Sequence, residues 1–577
     1  MVTRKTKSVA RLGAALTAAA LTAPLLSVAG SGAASASRLP FQGNYPRGET
    51  LYTSGTAYSQ PTNFNPNDPG GGYTGTMGLL YEPLFLYDPI HGGYKPWIAT
   101  SGKWVGNSYV LQVRNGVDWV QSPSQNVVGT VTGNDVAFSI KLAMSNPSDP
   151  WNSNVSGVAS VSASGQTVTV NFKGTPAYTE WQDYLWHAPV LPAAQWGAMS
   201  ATDQMSGANM TPVSTGPMTL DSTSSTQACY QTNPHWWGAQ LGLSFHFKYL
   251  CDVVNGSNNV ELANLTTGQI DWSNNFLPGI SVLVNGLGGS SAYGIKTYYP
   301  KAPYMLSANT AWLEMNTTKY PMSNVNFRRA VAAAINPQSI VSGVYTNIVK
   351  AANPVGLLPN LKSYINPRVV SKYGFSYNPS MAKKYLAMSG YKGQKLTLEV
   401  PNGWTDWEAA IQNISNQLNA VGIKVNPIYP QYPVRENDLI NGTYDMAIDN
   451  NAQPDSTPWS YFQRVYNLPI QKQQNATLNF ERFTDQKAWA LVQQAGHTPL
   501  ADTAKLNSLY SQIETRFLQD LPEIPLWYNG AWFQAQSTVW ADYPSALNKA
   551  DQYTPVMWGG WLGAMTTVYA LAQIRRA

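Results

Sequence analysis

The 577-residue sequence predicts a multi-domain α/β protein. Three observations carry this: a length beyond what one core usually holds, short alternating segments in the N-terminal third, and a later stretch in which strand and helix patterns alternate. Residues 49–57 and 108–114 read as strands, Thr132-Gly133-Asn134-Asp135 as a helix start, and 156–172 as a hairpin of alternating Val, Ser and Thr. Further on, Asn336-Pro337 and Asn378-Pro379 each set a side-chain cap beside a first-turn proline, and Gly390 stops the second of these helices. Lys395–Val400 alternates as a strand and Thr405-Asp406-Trp407-Glu408 reads as a capping box. Ile411, Ile414 and Leu418 share a helix face, Gly422 ends that helix, and Ile423–Ile428 returns as a strand. That is a βαβ unit, which predicts parallel sheet.

The N-terminus has Arg4, Lys5, Lys7 and Arg11, an uncharged run from Leu12 to Val28, and small residues ending Ala34-Ser35-Ala36. This is the layout of a cleavable secretory signal over residues 1–36. A membrane anchor is the rival, but no basic stop-transfer segment follows, and no cysteine near the cleavage point offers a lipid site. The net charge of +5 falls to +1 without those four basic residues, so the charge gives no reason to expect nucleic acid. Cys229 and Cys251, in an exported chain, suit a structural disulfide closing about twenty residues; two buried thiols are the alternative.

Ligands of open α/β sheets bind beyond the carboxyl ends of strands. Three segments placed there share one composition. Pro401-Asn402-Gly403-Trp404 runs into Trp407, Asp449-Asn450-Asn451-Ala452-Gln453 follows Tyr444–Ile448, and Trp272-Ser273-Asn274-Asn275-Phe276 follows Gly268–Asp271. Flat aromatic faces cover the C–H face of a pyranose, and carboxamides both donate to and accept from its hydroxyls, so the pattern suits a neutral polyhydroxylated ligand. Taken singly, each Trp can be core and each Asn a turn former. Their recurrence at three equivalent positions favours a binding cleft. Trp404 and Trp407 are expected to stack on sugar, with Asn274, Asn275, Asn450, Asn451 and Gln453 as hydrogen-bonding partners and Phe276 beside them. Tyr58 and Asn63, after the first strand, add first-lobe contacts. Trp527 and Trp532, like Trp236 and Trp237, either face the cleft or pack between lobes.

His91, His187, His235, His246 and His497 lack ligand spacing, and no nucleophile elbow, Walker loop or dinucleotide fingerprint appears. No catalytic residue, metal or cofactor is expected. A glycoside hydrolase needs only two carboxylates from anywhere in the chain, so that class stays open as a minor alternative.

The runs Gly78-Leu79-Leu80-Tyr81-Glu82-Pro83-Leu84-Phe85, Thr132-x-x-Asp135-Val136, Thr215-Gly216-Pro217, Asn233-Pro234-His235-Trp236-Trp237-Gly238, Gly268-Gln269-Ile270-Asp271-Trp272 and Phe327-Arg328-Arg329-Ala330 with Ala334-Ile335-Asn336 resemble successive landmarks of the extracellular solute-binding proteins of ABC transporters, family five. The resemblance runs from about residue 49 to 533. Asp271 to Gly279, Pro303 to Ala311, Gly403 to Trp407 and Pro525 to Phe533 are most similar to members that bind cello-oligosaccharides and related β-linked glucosides. Peptide-binding relatives carry an acidic residue after the strand that here ends near Ile448; Asp455 does not fall cleanly on that position, which agrees with a neutral ligand.

The resemblance implies a two-lobe periplasmic-binding-protein-like fold with a hinge and an extra subdomain inserted in the first lobe. The expected division is lobe I from 37–81, 206–308 and 528–577, the inserted subdomain from 82–205, and lobe II from 309–527. It further implies a secreted, non-enzymatic monomer that closes on cellobiose or a longer β-linked gluco-oligosaccharide and delivers it to membrane permease subunits. An oligopeptide is the alternative ligand.

Overall fold

The computed structural model describes residues 45–54, 58–68, 72–285, 294–451, 455–471, 478–548 and 552–577. The expected signal segment lies outside the described residues. No helix among them is long and apolar enough to cross a membrane.

Two mixed sheets organise the chain into lobes. The first has seven strands in the order Met218–Thr223, Gln227–Thr232, Tyr249–Val253, Thr50–Ser54, Trp272–Ser273, Gln534–Gln536 and Ile295–Thr297. Thr50–Ser54 runs parallel to both its neighbours, so segments following its end and the end of Trp272–Ser273 emerge on the same side. Cys229 and Cys251 face one another on adjacent antiparallel strands and are joined.

The second sheet orders Lys350–Ala351, Glu523–Gly530, Ser307–Met315, Met446–Asn451, Leu396–Glu399 and Val425–Ile428. Leu396–Glu399 is parallel to both of its neighbours, with the helix Thr405–Ala420 as crossover to Val425–Ile428. The βαβ unit is therefore present, but the sheet is not wholly parallel: Ser307–Met315 pairs antiparallel with Met446–Asn451 and with Glu523–Gly530. Ile411, Ile414 and Leu418 are fully buried under it. The expected boundaries at 308/309 and 527/528 fall inside strands of this sheet.

A third body carries the four-stranded antiparallel sheet Ala99–Val105, Ser108–Val113, Thr167–Phe172 and Val158–Ser164. The helix Gly133–Ser145 packs on it, entered through a capping box between Thr132 and Asp135.

Three of the family-like landmarks of the sequence, those carrying Glu82, Thr215 and Trp236-Trp237, meet around one carboxylate. Buried Glu82 accepts from Trp97 Nε1 at 2.9 Å and Trp236 Nε1 at 3.3 Å on one oxygen, and from Trp237 Nε1 at 2.9 Å and Thr215 Oγ1 at 2.8 Å on the other. Trp236 and Trp237 are thus core residues. Four charge-assisted hydrogen bonds hold the Glu82 carboxylate, yet burial still pushes its pKa up to about 7.

The chain crosses from lobe I to lobe II between Thr297 and Ser307 and returns between Gly530 and Gln534; the crossings touch where Ala531 N donates to Leu306 O at 2.7 Å. The lobes are drawn together. One apolar cluster runs without a break from Tyr52, Leu265 and Leu277 through Trp532 and Trp527 to Trp407 and Ile411.

Candidate functional site

The segments following the parallel strands of both sheets converge between the lobes. From lobe I come Tyr58, Asn275, Phe276 and Trp532; from lobe II come Tyr345, Trp404, Trp407, Tyr432 and Trp527. Trp404 and Tyr432 lie near-parallel at 5.9 Å, and Tyr58 approaches both, at 5.2 Å from Trp404 and 6.0 Å from Tyr432. Trp407 stands edge-on to Trp404 at 4.7 Å. Behind them Phe276 meets Tyr345 at 5.6 Å and Trp532 at 5.2 Å, and Tyr345 meets Trp527 at 5.4 Å.

The approach is made possible by Gly403. It adopts φ +89°, and a Cβ there would lie 3.0 Å from Gly256 O of lobe I, so the position requires glycine for both conformation and space. Asn258 N donates to Gly403 O at 3.1 Å, and Asn258 Nδ2 donates to Asp406 Oδ1 at 3.1 Å and Thr405 Oγ1 at 3.3 Å. Tyr345 Oη donates to the other Asp406 oxygen at 3.0 Å. Burial pushes Asp406 up to about 6 against these donors and the backbone N–H groups of its own helix start. The expected capping box at Thr405 does not form: Trp404 occupies the cap position without a side-chain bond, and Glu408 instead accepts from Gly403 N at 2.7 Å.

The expected site residues separate into three groups. Trp404 and Tyr58 are half-buried within the cluster, and Trp404 Nε1 meets no acceptor among the described residues. Trp407, Trp527 and Trp532 are buried behind them as its floor, with Phe276 half-buried alongside. Asn450 lies half-buried on a strand, opposite Ala311, which is in turn opposite Trp527, so it shares the face of the sheet that carries Trp527.

Other carboxamides are already engaged. Asn274 donates to Trp532 O at 2.5 Å and Pro555 O at 2.7 Å, and its Oδ1 accepts from Trp272 Nε1 and Met557 N. It is a buried staple between segments of lobe I, because the strand is Trp272–Ser273 rather than Gly268–Asp271 and its end turns inward. Asn63 donates to Asp68 at 2.7 Å and accepts from Asn65 N, which uses its amide within its own loop. Asn275 accepts from Tyr58 Oη at 2.5 Å and donates to Ser54 O at 3.3 Å, so it positions Tyr58. Asn450 and Asn451 belong to the strand Met446–Asn451, not to a loop after it, since pairing with Thr310 and Ala311 extends the strand. Gln453 lies outside the described residues.

Sequence reasoning missed Tyr345, Tyr432, Asn258 and the bridging role of Asp406. Tyr432 had a signal, being an aromatic close after the strand Val425–Ile428; Tyr345 follows a helix and carried none. Among the described residues, no group of three or more His, Cys, Asp or Glu is placed to hold a metal.

Comparison with known proteins decides the family. Residues 93–473 match the model of the bacterial extracellular solute-binding proteins, family 5 Middle. The chain belongs to that family. Its members are solute-binding proteins of ABC transporters, which work outside the cytoplasm with membrane permease components.

This family 5 chain is 23% identical to the probable ABC transporter periplasmic-binding protein SapA of Escherichia coli, over 81% of this chain and 85% of that one. It is 37% identical to a periplasmic oligopeptide-binding protein of an oligopeptide ABC transporter from Thermotoga maritima. Two solved structures of that protein match 92% of this chain: a mannohexaose-bound one over 99% of its own length with TM-score 0.86, and another over 100% with TM-score 0.81. The two-lobe binding-protein fold is thereby shown.

Proposed function

We propose that the chain binds a neutral oligosaccharide between its lobes and presents it to the permease of an ABC importer, with a β-linked gluco-oligosaccharide such as cellobiose or longer as the leading ligand and a manno-oligosaccharide beside it. The observation that carries this reading is the half-buried Trp404–Tyr58–Tyr432 group, built from both lobes, with an indole N–H that lacks an acceptor among the described residues. Stacking faces with one free donor suit a pyranose. Arg435 beside Tyr432 is spent on Glu436 at 2.6 Å and Asp449 at 3.4 Å, so it offers no free charge.

The mannohexaose carried by the 37% identical relative supports the same class. Export through the signal over residues 1–36 and the division of the lobes near the two crossings complete the proposal.

For a peptide, the acid to consider is Asp455. Its oxygens accept from Ser456 N at 2.5 Å and Ser460 Oγ at 2.9 Å, and it is buried, which leaves it poorly placed to receive an ammonium. A thermal-shift screen of the secreted protein against mannohexaose, cello-oligosaccharides, laminaribiose and tripeptides tests the reading. A rise in Tm with sugars alone is expected; a rise with tripeptides alone would replace the ligand class, and sustained release of reducing sugar would replace the binding protein with a hydrolase.

A further inference from the structure

The helix Tyr432–Asn441 begins just beyond the carboxyl end of the parallel strand Val425–Ile428, so its first turns border the inter-lobe cluster. Tyr432 and Glu436 stand four residues apart and share one face of this helix. Tyr432 supplies the ring that lies near-parallel to Trp404, and Glu436 follows it one turn on.

Both side chains end in an oxygen that is free to bond. Tyr432 Oη has no hydrogen-bond partner among the described residues. Glu436 gives Oε1 to Arg435 Nη1 at 2.6 Å and leaves Oε2 without a partner there. Neither oxygen is sealed from solvent, and the Glu436 side chain is 28% exposed. The carboxylate is also held in advance: buried Arg435, which grips it, donates to Ile448 O at 2.5 Å and so ties it to the strand Met446–Asn451. The Glu436 charge, ahead of burial, pushes the Tyr432 phenol above its usual range, so the hydroxyl keeps its proton and can donate.

The charges of this wall are matched. Arg435 faces Glu436 and lies 3.4 Å from Asp449. Burial pushes Arg464 down from the usual arginine range, and the charges of Asp183 and Asp449 push it back up; Asp183 has its own partner in His187 at 2.9 Å. Glu436 and Asp449 are thus balanced by two guanidinium groups, which leaves no spare counter-charge for an ammonium. What remains is one donor and one acceptor on a single turn of helix beside a stacking face, the combination that two hydroxyls of one sugar ring satisfy.

We propose that Tyr432 and Glu436 are the specificity-determining pair of the inter-lobe site, Tyr432 Oη donating to one hydroxyl and Glu436 Oε2 accepting from another on the pyranose that lies against Trp404. The assignment rests on the oligosaccharide reading of that site. A carboxylate only accepts, so the sugar must bring a hydroxyl proton to Glu436, and a deoxy carbon there cannot replace it.

Calorimetry of the full secreted protein against methyl β-cellobioside, methyl β-mannobioside and the monodeoxy derivatives of each tests the pair. In wild type one deoxy derivative should bind about tenfold to a hundredfold more weakly than its parent, the value of a hydrogen bond to a charged acceptor. Glu436→Ala should erase that penalty. Tyr432→Phe, which keeps the ring, should erase a second, smaller penalty at a different hydroxyl. A residue that only held Arg435 in place would weaken parent and derivatives alike, so deoxy penalties that are the same in wild type, Glu436→Ala and Tyr432→Phe would overturn the proposal. Tighter wild-type binding of the 2-amino-2-deoxy derivative than of its parent would overturn it too, since Glu436 would then act as a counter-ion. No heat from either parent in wild type would overturn the oligosaccharide reading and this pair with it, whereas intact parent binding with unchanged penalties would overturn the pair alone.

Discussion

Asn258→Ala removes a side chain that joins the lobes at one point. Asn258 opens the helix Asn258–Thr266 of lobe I and reaches Asp406 Oδ1 of lobe II at 3.1 Å. A hydrogen bond to a charged group is worth about 1.5–3 kcal/mol. The helix keeps its Ser257 cap, and the backbone bond from residue 258 to Gly403 O survives the substitution. The loss therefore falls on the closed arrangement and not on either lobe. Because apparent affinity scales with the closed fraction, oligosaccharide binding measured by calorimetry should weaken about tenfold to a hundredfold. The unfolding midpoint of the ligand-free protein should stay at the wild-type value. Unchanged affinity, or a midpoint that falls in step with affinity, would refute the view that this contact acts between lobes.

Glu82→Gln replaces one acceptor oxygen with a donor facing buried indole and hydroxyl donors, and should lower stability by about 2–4 kcal/mol in urea unfolding, without a specific effect on sugar affinity. Asn274→Ala strips the staple joining Trp532, Pro555 and Met557, so its loss should appear first as a lowered Tm, in contrast to a ligand contact, which would lower affinity alone. Buried carboxyls set the pH dependence: burial pushes Glu261 and Glu523 up to about 8, Glu82 to about 7 and Asp406 to about 6. The folded state keeps protons that the unfolded chain releases near pH 4–5, so this stability is full at low pH and is lost as pH rises towards 8. Scanning calorimetry should give a higher Tm at pH 5 than at pH 8; the reverse order would contradict these burial effects.

Much of the fold was legible because its signals are local. Thr132 and Asp135 form their capping box, Asn336-Pro337 and Asn378-Pro379 cap their helices, and Gly390 closes its helix in the left-handed region. Pairing was less legible because it depends on distant partners. Nothing within 444–451 reveals that Thr310 and Ala311 carry the strand on to Asn451, or that the sheet mixes directions. The same holds for the site. Trp404 declares itself through its place after a strand, whereas Asn274 and Asn275, with the same composition and position, are claimed by Pro555, Met557 and Tyr58 from remote parts of the chain. Tyr345 enters by tertiary packing alone, and only the folded chain shows it beside Phe276, Trp527 and Trp532.

Isothermal titration calorimetry of wild type and Trp404→Ala against mannohexaose, cello-oligosaccharides and a tripeptide mixture bears on the whole account. Saturable binding of a neutral oligosaccharide, weakened about tenfold or more in Trp404→Ala as a buried ring face worth about 1.5–3 kcal/mol is lost, is the predicted result. Tight tripeptide binding with no heat from any sugar, or sugar binding indifferent to Trp404→Ala, would contradict it.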